Sequence, residues 1–244
     1  MIAGIHSQNC WFLTAEKCWF YSTAYKLFAD CDEHLILESM NEPRLVGTSF
    51  EWNWNKNQPE CMDAADCINR LNQLFVDTVR STGGNNASRY LMIPSYAGSP
   101  YSACDEAFVI PRDLIEDRII LETHAYTPYN FALNRESPDH TFSLNEQVKL
   151  SEIGQFMNLL YDRFIKNGIP VVIDEYGALE KDGNIQDRVN FAAWYVASAR
   201  SRGITCCWWD NHVFSGDGER FGLIDRKTCT FIYPEIVEAI LKYA

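Results

Sequence analysis

At 244 residues, with 47% hydrophobic and 22% charged residues, the chain is long enough for one large core and ordinary in composition for a soluble globular domain. A net charge of −12 excludes nucleic acid as an expected partner, since phosphates are repelled by an acidic surface, and no apolar run is long enough to make a membrane one. Nine cysteines, an odd number without CxxC spacing, make neither a disulfide framework nor a zinc site, and the five histidines lack HxH or HExxH spacing, so no metal or other cofactor is expected.

The N-terminus, Met1-Ile2-Ala3-Gly4-Ile5-His6, has neither the basic nor the long apolar stretch of a secretory signal. Residues 2–6 read as a short strand arriving at His6, and residues 20–29 as a helix. An apolar run at 34–40 reads as a buried strand that ends in Asn41-Glu42-Pro43. A polar loop with Trp52 and Trp54 leads into a helix over 61–81, whose Ile68, Leu71, Leu74, Phe75 and Val79 share one stripe, and Gly83-Gly84 stops it.

Strands follow at 89–94 and 118–123, the second closing in His124-Ala125-Tyr126. A long loop from 127 to about 143 precedes a helix ending near Lys166, then a strand at 170–174 that delivers Glu175. A helix at 186–202, a strand at 204–208 running into Trp209, a Gly-rich loop and a helix at 234–243 complete the chain. Strand and helix alternate throughout, which predicts an α/β fold with a parallel sheet, and with no linker or repeat the whole of 1–244 reads as a single catalytic domain.

Six strands fall short of the eight that close a barrel, so two β/α units are expected to be missing. The strand ends carry the chemistry. A lone glutamate after a strand is usually a solvated charge. Glu42 and Glu175 repeat the same design, and in a β/α architecture such ends share one mouth. Two carboxyls facing one sugar linkage are what a glycosidase needs. Aromatic residues are abundant, with 7 Trp, 12 Tyr and 14 Phe, and their flat faces suit the apolar faces of sugar rings, although core packing accounts for most of them.

Four segments in order, Leu37-Glu38-Ser39-Met40-Asn41-Glu42-Pro43, His124-Ala125-Tyr126, Val172-Ile173-Asp174-Glu175-Tyr176-Gly177 and Trp208-Trp209-Asp210-Asn211, resemble the signature segments of glycoside hydrolase family 5, in its cellulase or endo-β-1,4-glucanase branch. The resemblance runs the length of the chain and implies a TIM (β/α)8-type barrel lacking its first two units. It also implies a retaining hydrolase of cellulose-like glucan, xyloglucan or mixed-linkage glucan, secreted from the cell. Glu42 is then the general acid/base and Glu175 the nucleophile. Asn41 binds the sugar 2-hydroxyl, His124 and Tyr126 line the same subsite, with Tyr126 donating to the nucleophile, and Trp209 is the sugar's floor. Trp208 points to the opposite face and is expected in the core.

His6 is assigned to the substrate as well, although Gly4-Ile5-His6-Ser7 keeps only one histidine of the family's usual Asn-x-His-His. The arginine that the family places beside its nucleophile lies ahead of residue 1. The open edges of an incomplete barrel lead us to expect marginal stability or self-association. A β-mannanase, or a catalytically silent carbohydrate-binding fragment, are the rival readings.

Overall fold

A computed structural model describes residues 25–244. The chain forms two compact units: one runs to Thr123 and takes in Asn167–Pro170, and the other comprises His124–Lys166 and Val171–Ala244. The strand expected at 2–6, with His6, lies outside the described residues, as does the first half of the helix expected at 20–29.

In the first unit, strand β1 (Leu37–Glu38) is followed by helix α1 (Pro59–Ser81), strand β2 (Leu91–Ile93) and strand β3 (Ile119–His124), whose last residue opens the second unit. β1 pairs in parallel with β2 (Leu37 opposite Leu91), and β2 with β3 (Leu91 opposite Ile119). Every residue of β2 and β3 is buried, as expected of parallel strands covered on both faces. α1 starts on Pro59, which has no amide hydrogen to lose, and turns Cys61, Ala64, Ile68, Leu71 and Phe75 inward. Cys61, Ala64, Ile68 and Leu71 pack with Leu45, Tyr96 and Ala97. Gly84 follows the helix at φ +56°, and a Cβ there would lie 2.7 Å from the Ala29 carbonyl oxygen.

The strand expected over 34–40 is reduced to two residues, and His34 and Ile36 are exposed. Just ahead of it, Arg89 is buried and donates to the carbonyls of Phe28, Cys31, Asp32 and Leu35 and to Asn86 Oδ1, at 2.6 to 2.9 Å, so that within the expected strand the Leu35 carbonyl is taken. Carbonyls held by a guanidinium are withdrawn from any ladder.

The second unit contains helix α2 (Gln147–Arg163), strand β4 (Val171–Tyr176), helix α3 (Ile185–Arg200), strand β5 (Thr205–Trp208), the short antiparallel pair β6 (Ile224–Asp225) and β7 (Thr230–Phe231), and helix α4 (Pro234–Tyr243). β4 and β5 are parallel, and α3 packs against both α2 and α4. Its core is an aromatic cluster in which Tyr176 stacks on Tyr195 at 4.3 Å and Phe191 touches Phe131 and Phe142. The segment expected as a long loop from 127 contains a helical turn, Tyr129–Ala132, which seats Phe131 in that core. Trp208 packs on Tyr176 and Phe191, as expected of a core-facing residue.

Among the described residues no helix is long and apolar enough to cross a membrane. Cys67 is disulfide-bonded, while Cys61 is free. Burial pushes the Cys206 thiol up to about 12, yet Cys206 is half-buried and its neighbour Cys207 exposed, so neither of the adjacent pair is a core residue.

Candidate active site

In the first unit Glu42 follows β1 with φ +29°, a left-handed backbone rare for a residue with a side chain, and such strain persists only where surroundings enforce it. They do so on both sides. Upstream, Ser39 bonds the Met92 carbonyl through its amide and Asn72 through its hydroxyl at 2.7 Å, while Asn72 reaches back to the Pro94 carbonyl. Downstream, the Pro43 carbonyl accepts from Ala97 N at 2.8 Å, and the Tyr96 hydroxyl accepts from Leu45 N and donates to the Phe50 carbonyl at 2.7 Å. Burial raises the Tyr96 pKa, so the clamp stays protonated at any ordinary pH.

Arg44 then braces Glu42. Its Nη1 donates to the Glu42 carbonyl at 3.0 Å and lies 3.5 Å from the Glu42 carboxylate, while its Nε donates to Glu51 at 3.3 Å. The guanidinium lies over the Trp52 ring, 3.8 Å from its centroid. Asn41, next to Glu42, is exposed.

In the second unit Glu175 lies within β4, one residue before its end, because the strand runs further than its apolar stretch. Its Oε2 accepts from the Tyr126 hydroxyl at 2.9 Å and lies 3.3 Å from His124 Nδ1. The other ring nitrogen of His124 is 3.4 Å from Asp174. Consecutive residues of a regular strand point to opposite faces, so Asp174 and Glu175 should not reach one ring. A bulge resolves this: Ile173 pairs with Cys206 and Tyr176 with Trp208, so two residues of β4, Asp174 and Glu175, stand against one of β5, Cys207.

Phe221 completes the setting. It is fully buried, its ring lies 5.4 Å from Tyr126, and its carbonyl accepts from Trp208 Nε1 at 3.1 Å. Position 177 is glycine where a Cβ would meet the Phe221 ring at 3.0 Å. Trp209 follows, tied by its amide to the Tyr176 carbonyl at 2.8 Å and with its side chain 40% exposed, which leaves aromatic surface to solvent.

The second unit thus brings together Glu175, His124 and Tyr126, and sets Trp209 beside the residue that follows Glu175. The first unit holds Asn41 and Glu42, and His6 lies outside the described residues. Sequence reasoning missed three supports: Arg44, Asp174 and Phe221. The Asp-Glu doublet was a visible signal for Asp174, whereas nothing local marks Phe221.

The family model described as cellulase (glycosyl hydrolase family 5) matches residues 7–215. Endoglucanase B of Neocallimastix patriciarum is 44% identical over 215 residues, 88% of this chain and 43% of that protein, and endoglucanase A of Ruminococcus albus is 39% identical over 89% of this chain and 57% of its own length. The chain therefore spans about half the length of these relatives.

Among solved structures, a mutant family 5 lichenase from Caldicellulosiruptor sp. F32 in complex with cellotetraose is similar with a TM-score of 0.96 and 50% identity, covering 100% of this chain and 67% of that one. A xyloglucan-specific endo-β-1,4-glucanase from a metagenomic library, in complex with cellotriose, follows at a TM-score of 0.88 and 32% identity over 99% of this chain and 68% of its own. The fold is accordingly of the α/β barrel class that the resemblance implied. By sequence and by fold, the chain belongs to the cellulase family, glycoside hydrolase family 5.

Proposed function

We propose that the chain acts as a retaining endo-β-1,4-glucanase, with residues 1–244 forming one catalytic domain. Glu175 attacks the anomeric carbon while Glu42, protonated, gives its proton to the departing glycosidic oxygen. Water, deprotonated by Glu42, then releases the sugar from Glu175. A retaining mechanism requires two carboxyls about 5 Å apart, and no cofactor takes part.

The observation that carries the proposal is the setting of Glu175: a carboxylate in a strand bulge, held by the Tyr126 hydroxyl and the His124 ring, in a member of a hydrolase family. Two contacts to one oxygen fix the direction of the carboxylate, and a fixed direction is most of what a nucleophile needs from its surroundings. Asn41 binds the 2-hydroxyl of the same sugar, Trp209 stacks beneath it, and His6 joins them.

The substrate is a β-glucan polymer or oligosaccharide, cellulose-like, mixed-linkage or xyloglucan, consistent with the activities of the similar proteins. A polymer of that size does not cross a membrane, so the enzyme works outside the cell. Strand edges such as β5, where Thr205 and Cys207 are exposed, favour self-association.

Initial rates on carboxymethylcellulose, mixed-linkage glucan, xyloglucan and mannan test the assignment, with fastest turnover expected on a glucan. Glu175→Gln should lower the rate by about 10³-fold or more. Glu42→Gln should lose most on poor leaving groups and least on an activated aryl cellobioside. Equal activity of Glu175→Gln and wild type would refute the proposal.

A further inference from the structure

We infer that Trp52 is the platform for the sugar on the leaving-group side of the scissile bond, and that Arg44 ties this platform to Glu42. The inference rests on the proposed role of Glu42 as acid/base. Trp52 is 56% exposed, an unusual position for the largest apolar side chain. It is nonetheless held in place: one face carries the Arg44 guanidinium at 3.8 Å, close enough for a cation–π contact.

Arg44 is itself fixed. Its side chain is only 20% exposed, Glu51 takes its Nε, and Glu42 takes its Nη1 through both carbonyl and carboxylate. Glu51 is held in turn by the Gly47 amide at 2.9 Å. An exposed indole with one face pinned to a braced cation is pre-oriented, so it loses little conformational freedom when something stacks on it.

The chemistry of the surface selects the ligand. The indole offers a flat apolar area, which suits the C–H face of a neutral glucosyl ring, and the acids near it, Glu42 and Glu51, accept hydroxyl protons. The contact order sets the side. Glu42 delivers its proton to the oxygen that leaves with the departing sugar, and Trp52 is one side chain removed from Glu42. The sugar on Trp52 is therefore the departing one, a glucosyl unit of the chain being cut.

Substrates with different leaving groups test this. Cellotetraose departs as a sugar and needs the platform, whereas 2,4-dinitrophenyl β-cellobioside releases a phenol that needs neither platform nor proton. For Trp52→Ala the loss in kcat/KM on cellotetraose should exceed the loss on the aryl cellobioside by about tenfold, with Trp52→Phe recovering part of it. Arg44→Met should show the same leaving-group bias. Equal losses on both substrates, or no loss on either, would overturn the inference.

Glu42→Gln is the control on its premise. If that variant lacks the leaving-group bias, or if the wild type turns over neither substrate, the role of Glu42 fails and the inference falls with it. If Glu42→Gln shows the bias and Trp52→Ala does not, the inference alone is wrong.

Discussion

Asp174 and Glu175 are neighbours in the chain, and both reach the imidazole of His124, at 3.4 Å and 3.3 Å. The bulge in β4 makes this possible by placing one extra residue between the Ile173–Cys206 and Tyr176–Trp208 pairs. Each ring nitrogen thereby has a carboxylate oxygen within 3.4 Å.

If the nearby Asp174 carboxylate positions the ring, Asp174→Ala should lower kcat by about tenfold, about 1.4 kcal/mol of transition-state stabilisation, while KM changes little. Circular dichroism melting should leave Tm within a few degrees of wild type, because Asp174 is not a core residue. A variant with unchanged kcat would mean that His124 needs no support from that side.

Two buried arginines should behave in opposite ways. Arg89 is surrounded by four carbonyls and the Asn86 amide oxygen, so Arg89→Met strands several buried acceptors and should cost about 3 kcal/mol or more. Arg188 donates from Nε to the Ala178 carbonyl at 3.0 Å and lies against the rings of Tyr233 and Trp208, while both its Nη atoms are buried without a partner among the described residues; burial lowers its pKa to about 10. Replacing a poorly compensated buried charge by an apolar side chain of similar length is often neutral or stabilising, so Arg188→Met should leave urea stability unchanged or raised. A large loss for Arg188→Met, or none for Arg89→Met, would reverse this ranking.

Gly84 is expected to tolerate no side chain. Its φ of +56° and the 2.7 Å approach of the Ala29 carbonyl to any Cβ act together, and the neighbour is backbone that cannot rotate away. Gly84→Ala should cost about 1–3 kcal/mol, whereas Gly83→Ala, strained at φ +73° but with nothing within 4 Å, should cost less. Equal midpoints in chemical denaturation would contradict the steric argument.

The elements legible in the sequence were those with long periodic patterns. α1 was expected at 61–81 and spans Pro59–Ser81, and α4 was expected at 234–243 and occupies Pro234–Tyr243. The strand at 34–40 is shorter than its apolar run, which cannot show that Arg89, some fifty residues on, takes the Leu35 carbonyl at its start. The hairpin of β6 and β7 was invisible because two-residue strands carry no period. At the site, Glu42, Glu175, His124 and Tyr126 were readable as residue types at strand ends. The bulge that turns Asp174 toward His124 was not, since it depends on register between two strands, and neither was the stack of Arg44 on Trp52, since it depends on how the loop after Glu42 folds back.

The ion pair between Arg80 and Asp113 gives the first unit a defined acid sensitivity. Arg80 Nη2 and Nε meet the two Asp113 oxygens at 2.6 and 2.9 Å, and both side chains are nearly buried. Burial by itself raises the Asp113 pKa, but the Arg80 hydrogen bonds and the amides of Ile115 and Leu114 outweigh it and hold the carboxyl below its usual 3.8. A folded-state pKa below the unfolded one means that the unfolded chain binds the proton more readily. The stabilisation is therefore complete above about pH 4 and is lost as pH falls through the depressed folded value. Thermal melts between pH 5 and pH 2.5 should show wild type losing more Tm than Asp113→Asn, whose amide does not titrate. Parallel pH profiles for the two proteins would show that the pair adds nothing to the acid response.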